Sequence, residues 1–264
     1  MFKAILFDLD DTLLVNSMDT FIPAYIQALA RHVAYLIPPE RLISELLRAT
    51  RAMEANDGTG PTNKEAFAAV FYPALGYDLD ELQSIFDRFY AEEFSKLRAL
   101  TRPVPEARPL IAWAFERGLQ VAIATNPMFP RSPIEQRLEW AGVPVTEFDY
   151  ALVTSYENMH ATKAHPAYYR EILAQLGRQP DECLMVGDDW ERDIAPAGSV
   201  GIPGYWIAEL DDTPQRQRTT PQHWPRTRDG SPSSLCTLSL EPCVRADLLS
   251  AGATGHAPRP TKFS

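Results

Sequence analysis

The sequence predicts an α/β fold in which a parallel sheet carries helices on both faces, with an all-helical block inserted after the first strand. Three observations predict it. Short apolar runs at residues 4–7, 119–125, 150–155 and 183–187 read as strands buried on both faces. Stretches with helical spacing at 105–118, 131–142 and 165–177 alternate with the later runs, the rhythm of βαβ units. Residues 16–100, by contrast, carry helical periodicity and no convincing strand.

Each element has its own reason. Ala4, Ile5, Leu6 and Phe7 run straight into Asp8, Asp10 and Asp11. Carboxylates gathered that closely repel one another, so a cation or anion-handling chemistry is the usual reason to collect them. The plainer alternative is an acidic turn that caps a helix. Residues 18–36 space Phe21, Tyr25, Ala28, Leu29 and Val33 helically, and 40–54 repeat the pattern. A loop at 57–63 precedes helical stretches at 66–75 and 79–97. Leu110, Ile111, Ala114 and Phe115 share one face of a helix over 105–118, ended by Gly118. The helix over 131–142 is expected to open on a capping box, Ser132 to Glu135, with Pro133 in its first turn. His165 precedes a helix that starts at Pro166, and Cys183 is expected in the core.

A chain of 264 residues with 45% hydrophobic and 23% charged residues can bury a substantial core. A net charge of −10 argues against nucleic acid and anionic membranes as partners, because both select basic surfaces. It leaves room for a small phosphorylated substrate, provided a metal or local cations reverse the field at the site. Cys183, Cys236 and Cys243 have no metal-ligand spacing, and their odd number fits no closed disulfide framework. Asp8 and Asp10 interrupt the first apolar run too early for a signal peptide, and no later run could span a bilayer. A cytoplasmic enzyme is the expectation. Oligomeric state is not specified by these features.

In open α/β sheets, ligands sit beyond the carboxyl ends of the strands. That rule places Asp8 and Asp10 at one strand end, Thr125 and Asn126 at a second, and Asp188 at a third. Lys163 falls in the loop after a fourth. Taken singly, Thr125 reads as a strand-end hydroxyl, Lys163 as a solvated cation and Asp193 as a helix cap. Four strand ends converging on one crevice favour a site.

These residues resemble the four motifs of the haloacid dehalogenase-like (HAD) superfamily of phosphohydrolases: DLDDT (8–12), ATN (124–126), Lys163, and GDDWERD (187–193). The resemblance covers roughly residues 2–208. It implies a Rossmann-like α/β core from 1–15 and 101–210, with residues 16–100 as a helical cap domain. It also implies a Mg²⁺-dependent phosphatase. By this resemblance Asp8 is the nucleophile that becomes an aspartyl phosphate. Asp10 is the general acid and base, and Thr125, the Asn126 backbone N–H and Lys163 bind phosphate. Asp8, the carbonyl of Asp10 and Asp188 are the implied Mg²⁺ ligands, and Asp193 a partner of a metal-bound water or of Lys163. The third motif departs from the family's common Lys-Pro, since Ala164 follows Lys163. The role of Asp189 stays open.

An acid at position 10 favours phosphate monoesters over halides, which leave without a proton. A phosphomutase or phosphotransferase is chemically adjacent. A non-catalytic phospho-accepting regulatory module is the alternative from another class, and Asp10 and the helical insertion both count against it. Asn16, Asp19 and Thr20 are candidate specificity residues. Residues 211–264 lack helical or strand period and are expected to be disordered.

Overall fold

The computed structural model describes residues 2–207, and the expectations for the tail, including Cys236 and Cys243, lie outside them. A five-stranded parallel sheet forms from β1 (Ala4–Phe7), β4 (Gln120–Ile123), β5 (Leu152–Val153), β6 (Cys183–Gly187) and β7 (Gly204–Trp206). Its order is β5-β4-β1-β6-β7, with every pairing parallel. The chain builds outward from β1 to β5 on one side, then crosses back to lay β6 on the other. That reversal leaves a crevice beyond the carboxyl ends of β1, β4 and β6.

Alternation along each strand assigns the two faces. Ile5, Phe7, Val121, Ile123 and Val186 pack with α5 (Ala107–Glu116) and α6 (Arg131–Trp140). Ala4, Leu6, Ala122, Cys183 and Met185 face the other way, against α7 (Pro166–Leu176) and Ala197 of α8 (Ala195–Ser199). Cys183 is fully buried. His165 caps α7, its Nδ1 accepting from the Ala167 N–H at 3.2 Å, and Pro166 opens the helix.

The helical block holds α1 (Met18–Val33), α2 (Pro39–Glu54), α3 (Asn63–Leu75) and α4 (Leu79–Arg88). After α4 the chain takes one π turn (Phe89–Glu93) and a 3₁₀ segment (Phe94–Leu100), so the helix expected over 79–97 changes winding rather than running through. Phe89 and Phe94 are both fully buried against Tyr25, and changing the winding lets both rings turn inward. The block enters and leaves through a two-strand antiparallel neck, β2 (Leu14–Val15) with β3 (Arg102–Pro103).

Asn63 fastens the block to the core a second time. Fully buried, it donates from Nδ2 to the carbonyls of Pro127 and Ala161, while Asn56 donates to its Oδ1 at 2.9 Å. Those two carbonyls belong to the loops that carry Asn126 and Lys163. Among the described residues, no helix is long and apolar enough to cross a membrane.

Candidate active site

The turn after β1 decides how the acidic residues are used. The Asp8 N–H still donates to the Val186 carbonyl at 2.9 Å, so Asp8 remains on the sheet ladder. The chain then reverses: the N–H groups of Leu13 and Leu14 both return to the Leu9 carbonyl, and Asp11 adopts a left-handed φ of 58°. An Asp tolerates that conformation better than most residues, and Asp11 Oδ1 accepts from the Asn16 N–H at 2.9 Å. A regular strand would point Asp8 and Asp10 to the same face. The turn separates them.

Asp8 is buried and its Oδ1 receives the Lys163 ammonium at 2.5 Å. Lys163 also pairs with Asp193, which is fully buried. Burial disfavours the ammonium, but the facing carboxylates of Asp193 and Asp8 outweigh it and hold the Lys163 pKa well above its ordinary value. The Lys163 backbone N–H donates to Asn126 Oδ1 at 3.2 Å, joining the loop after β5 to the loop after β4. Thr125 is buried at the end of β4, and its carbonyl accepts from Thr154 Oγ1 and the Tyr168 hydroxyl.

Asp188 follows β6 and accepts from Thr12 Oγ1 at 3.2 Å. Its carbonyl receives the Trp206 indole N–H at 2.7 Å, fixing the backbone where the strand ends. Burial and the neighbouring charges of Asp8 and Asp193 push its carboxyl up to about 8. Asp193 is pushed up to about 7, burial outweighing the stabilising Lys163. Gly187 is required here by space, since a Cβ would lie 2.1 Å from Asp193 Oδ2.

Carboxylate oxygens of Asp8, Asp188 and Asp193 lie within 4.8 Å of one another. Three carboxylates against one ammonium leave an excess of two negative charges, which adds to burial in raising Asp188 and Asp193. That donor set fits a hard divalent cation, for which carboxylate oxygens are the preferred ligands.

Asp10 faces elsewhere. Its Oδ2 pairs with Arg137 Nη1 at 2.5 Å and its Oδ1 accepts from Asn16 Nδ2 at 2.8 Å. Burial raises its pKa, opposed mainly by Arg137. So the carboxylate of Asp10 stands apart from the acidic cluster, leaving its backbone carbonyl as the only group the proposed metal set asks of it. Asn16 is thereby engaged in holding Asp10, while Asp19 and Thr20 are exposed. Asp189 caps the π turn Trp190–Ile194, accepting from the Glu191 and Arg192 N–H groups at 2.9 and 3.1 Å.

Arg137 is the site residue that sequence reasoning missed. Only 1% of its side chain is exposed, and its guanidinium stacks 4.8 Å from the centroid of Phe129. The signal was present: Pro133, Ile134, Arg137, Leu138 and Ala141 form one buried stripe at helical spacing. An arginine on an apolar stripe needs a buried acceptor.

Residues 2–201 match the haloacid dehalogenase-like hydrolase family, and the chain belongs to that family. It is 31% identical to a phosphoglycolate phosphatase of Rhodospirillum rubrum, over 76% of this chain and 77% of the relative. An N-acetylmuramic acid 6-phosphate phosphatase of Pseudomonas aeruginosa is 32% identical over 75% and 78% of the two chains. Among solved structures, the fold is similar to a 2-haloacid dehalogenase of Pseudomonas syringae, with a TM-score of 0.55 at 22% identity and coverage of 81% and 91%.

Proposed function

We propose that this hydrolase is a Mg²⁺-dependent phosphatase acting on a small-molecule phosphate monoester through an aspartyl phosphate on Asp8. The observation that carries the reading is the division of two nearby carboxylates, Asp8 against Lys163 and the acidic cluster, Asp10 against Arg137 and Asn16. The phosphatase names of the relatives support the same reaction class.

Asp8 Oδ would attack phosphorus in line, forming the acyl phosphate as the bond to the ester oxygen breaks. Asp10 would give that oxygen its proton, and later take one from the water that attacks the same phosphorus. Thr125 and the Asn126 N–H would bind phosphate oxygens. Lys163, kept charged by Asp193, would offset the negative charge that spreads over them. Asp8, Asp188 and the Asp10 carbonyl would hold Mg²⁺, which when bound supplies the positive charge a phosphate dianion needs in so acidic a crevice. The helical block of residues 16–100 would act as a cap that excludes bulk water, entering through the β2–β3 neck. The substrate would be a phosphorylated metabolite of the cytoplasm.

The test is release of inorganic phosphate from a panel of monoesters. Activity should require Mg²⁺, vanish with chelator, and be absent in Asp8→Asn. Full turnover in chelator, or in Asp8→Asn, would overturn the reading.

A further inference from the structure

A cavity of about 650 Å³ lies between the helical block and the loop after β4, and the chemistry assigned above does not use it. Pockets of this size hold the body of a drug-sized molecule. Its walls are ring faces and aliphatic chains, among them Tyr25, Phe67, Phe71, Phe86, Tyr90 and Phe129. Six of the polar side chains in the lining pair with one another, Lys64 not among them. The Tyr25 and Tyr90 hydroxyls share a hydrogen bond at 2.9 Å, Gln83 donates to Asp87 at 2.7 Å, and Arg131 pairs with Glu135 at 2.6 Å. What remains for an occupant is mostly apolar surface.

The cavity adjoins the site through Met128, Phe129 and Lys64. Met128 lines it, and Met128 Sδ lies 3.0 Å from Asn126 Nδ2. Phe129 also lines it, and Arg137, the partner of Asp10, stacks on the Phe129 ring. Lys64, also in the lining, follows Asn63, which is bonded to the loops of Asn126 and Lys163. An ester whose phosphate sits at Asn126 would therefore meet the cavity with its alcohol portion.

We infer that this cavity selects the alcohol, so that the preferred substrates are phosphate monoesters of bulky apolar or aromatic alcohols. The inference rests on the phosphatase reading and deepens it. Small polar esters such as phosphoglycolate would leave these walls uncovered, whereas an apolar body would remove them from water.

A homologous series of n-alkyl phosphates tests this. Burial of a methylene corresponds to about fourfold in affinity, so kcat/KM should climb about three- to fourfold per added carbon until the cavity is filled. Ala91 and Thr50 line the cavity. Ala91→Trp and Thr50→Phe should each end the climb at a shorter chain, a comparison made within each protein and so insensitive to a general loss of activity. A flat series in the unsubstituted protein overturns the inference and leaves the phosphatase reading standing. So does a climb that neither substitution shortens. If no ester is hydrolysed, the phosphatase reading fails instead. The matching n-alkylphosphonates then decide the cavity: chain-length-dependent protection against thermal unfolding, lost in Ala91→Trp, supports it, and length-independent protection or none overturns it.

Discussion

Removing either partner of the Asp10–Arg137 pair should destabilise the protein, but the two removals should differ in size and in pH dependence. The Arg137 side chain is 1% exposed and that of Asp10 14%, so neither charge can be screened well by solvent. Breaking a buried pair by deleting one partner costs about 3–5 kcal/mol, because the other charge is left unpaired. Asp10→Asn strands a guanidinium that cannot lose its proton, so its cost should lie in that range. Arg137→Met strands a carboxyl that can take a proton, and the main loss is then the contact with Phe129, about 0.5–2 kcal/mol. Burial already raises the Asp10 pKa, and loss of the guanidinium removes the chief opposing influence. A carboxyl whose folded pKa exceeds its unfolded value lends stability that is present at low pH and lost as pH rises through the folded value. Arg137→Met should therefore be mild at pH 5 and more costly toward pH 8. Combining the two substitutions leaves no stranded charge, so the double variant should recover about 2–3 kcal/mol relative to the sum of the singles. Urea denaturation at pH 5 and 8 measures all four corners of the cycle. Single costs below about 1 kcal/mol that simply add would refute the argument that this pair is buried and coupled.

Two further outcomes follow from the acidic cluster. Metal ligands must be deprotonated, and Asp188 is pushed up to about 8, so apparent Mg²⁺ affinity by calorimetry should rise by up to about tenfold per pH unit from pH 6 and level off above about pH 8; a flat profile would remove Asp188 from the ligand set. Gly187→Ala would place a methyl 2.1 Å from Asp193 Oδ2, displacing the residue that pairs with Lys163, so turnover should fall at least about tenfold along with about 1–3 kcal/mol of stability; a fully active variant would show that the Asp193–Lys163 contact is dispensable.

The strands and the strand-end residues were legible because burial on both faces leaves an unmistakable apolar run, and the crevice rule converts strand ends into neighbours. β1, β4 and β6 coincide within a few residues with the apolar runs at 4–7, 119–125 and 183–187, and Asp8, Lys163, Asp188 and Asp193 meet beyond the strand ends. Partner choice was harder to read. Ser132 and Glu135 suit a capping box by spacing, yet α6 begins at Arg131, whose side chain takes Glu135 while its N–H is satisfied by Glu157 across the loop. That competitor is distant in sequence and invisible to a local rule. The neck strands β2 and β3 are two residues each, too short to show a period. Over 150–155 only Leu152 and Val153 pair, because β5 lies at the sheet edge with a partner on one side alone. Arg137 is hidden for another reason: helical spacing marks the apolar stripe, whereas the acceptor that a charge on that stripe needs, Asp10, is 127 residues away in sequence.

The central claim is that Asp8 carries the phosphoryl group while Asp10 handles protons, and Asp10→Asn with p-nitrophenyl phosphate tests it most directly. Nitrophenolate departs with little need of a proton, so transfer to Asp8 should survive, whereas hydrolysis of the acyl phosphate still needs water activated by the missing carboxylate. The account predicts a burst of nitrophenolate of up to about one equivalent per enzyme, then a stall, with one phosphoryl group found on Asp8 by mass spectrometry of the quenched protein. A slow linear release with no phosphorylated Asp8 would contradict it.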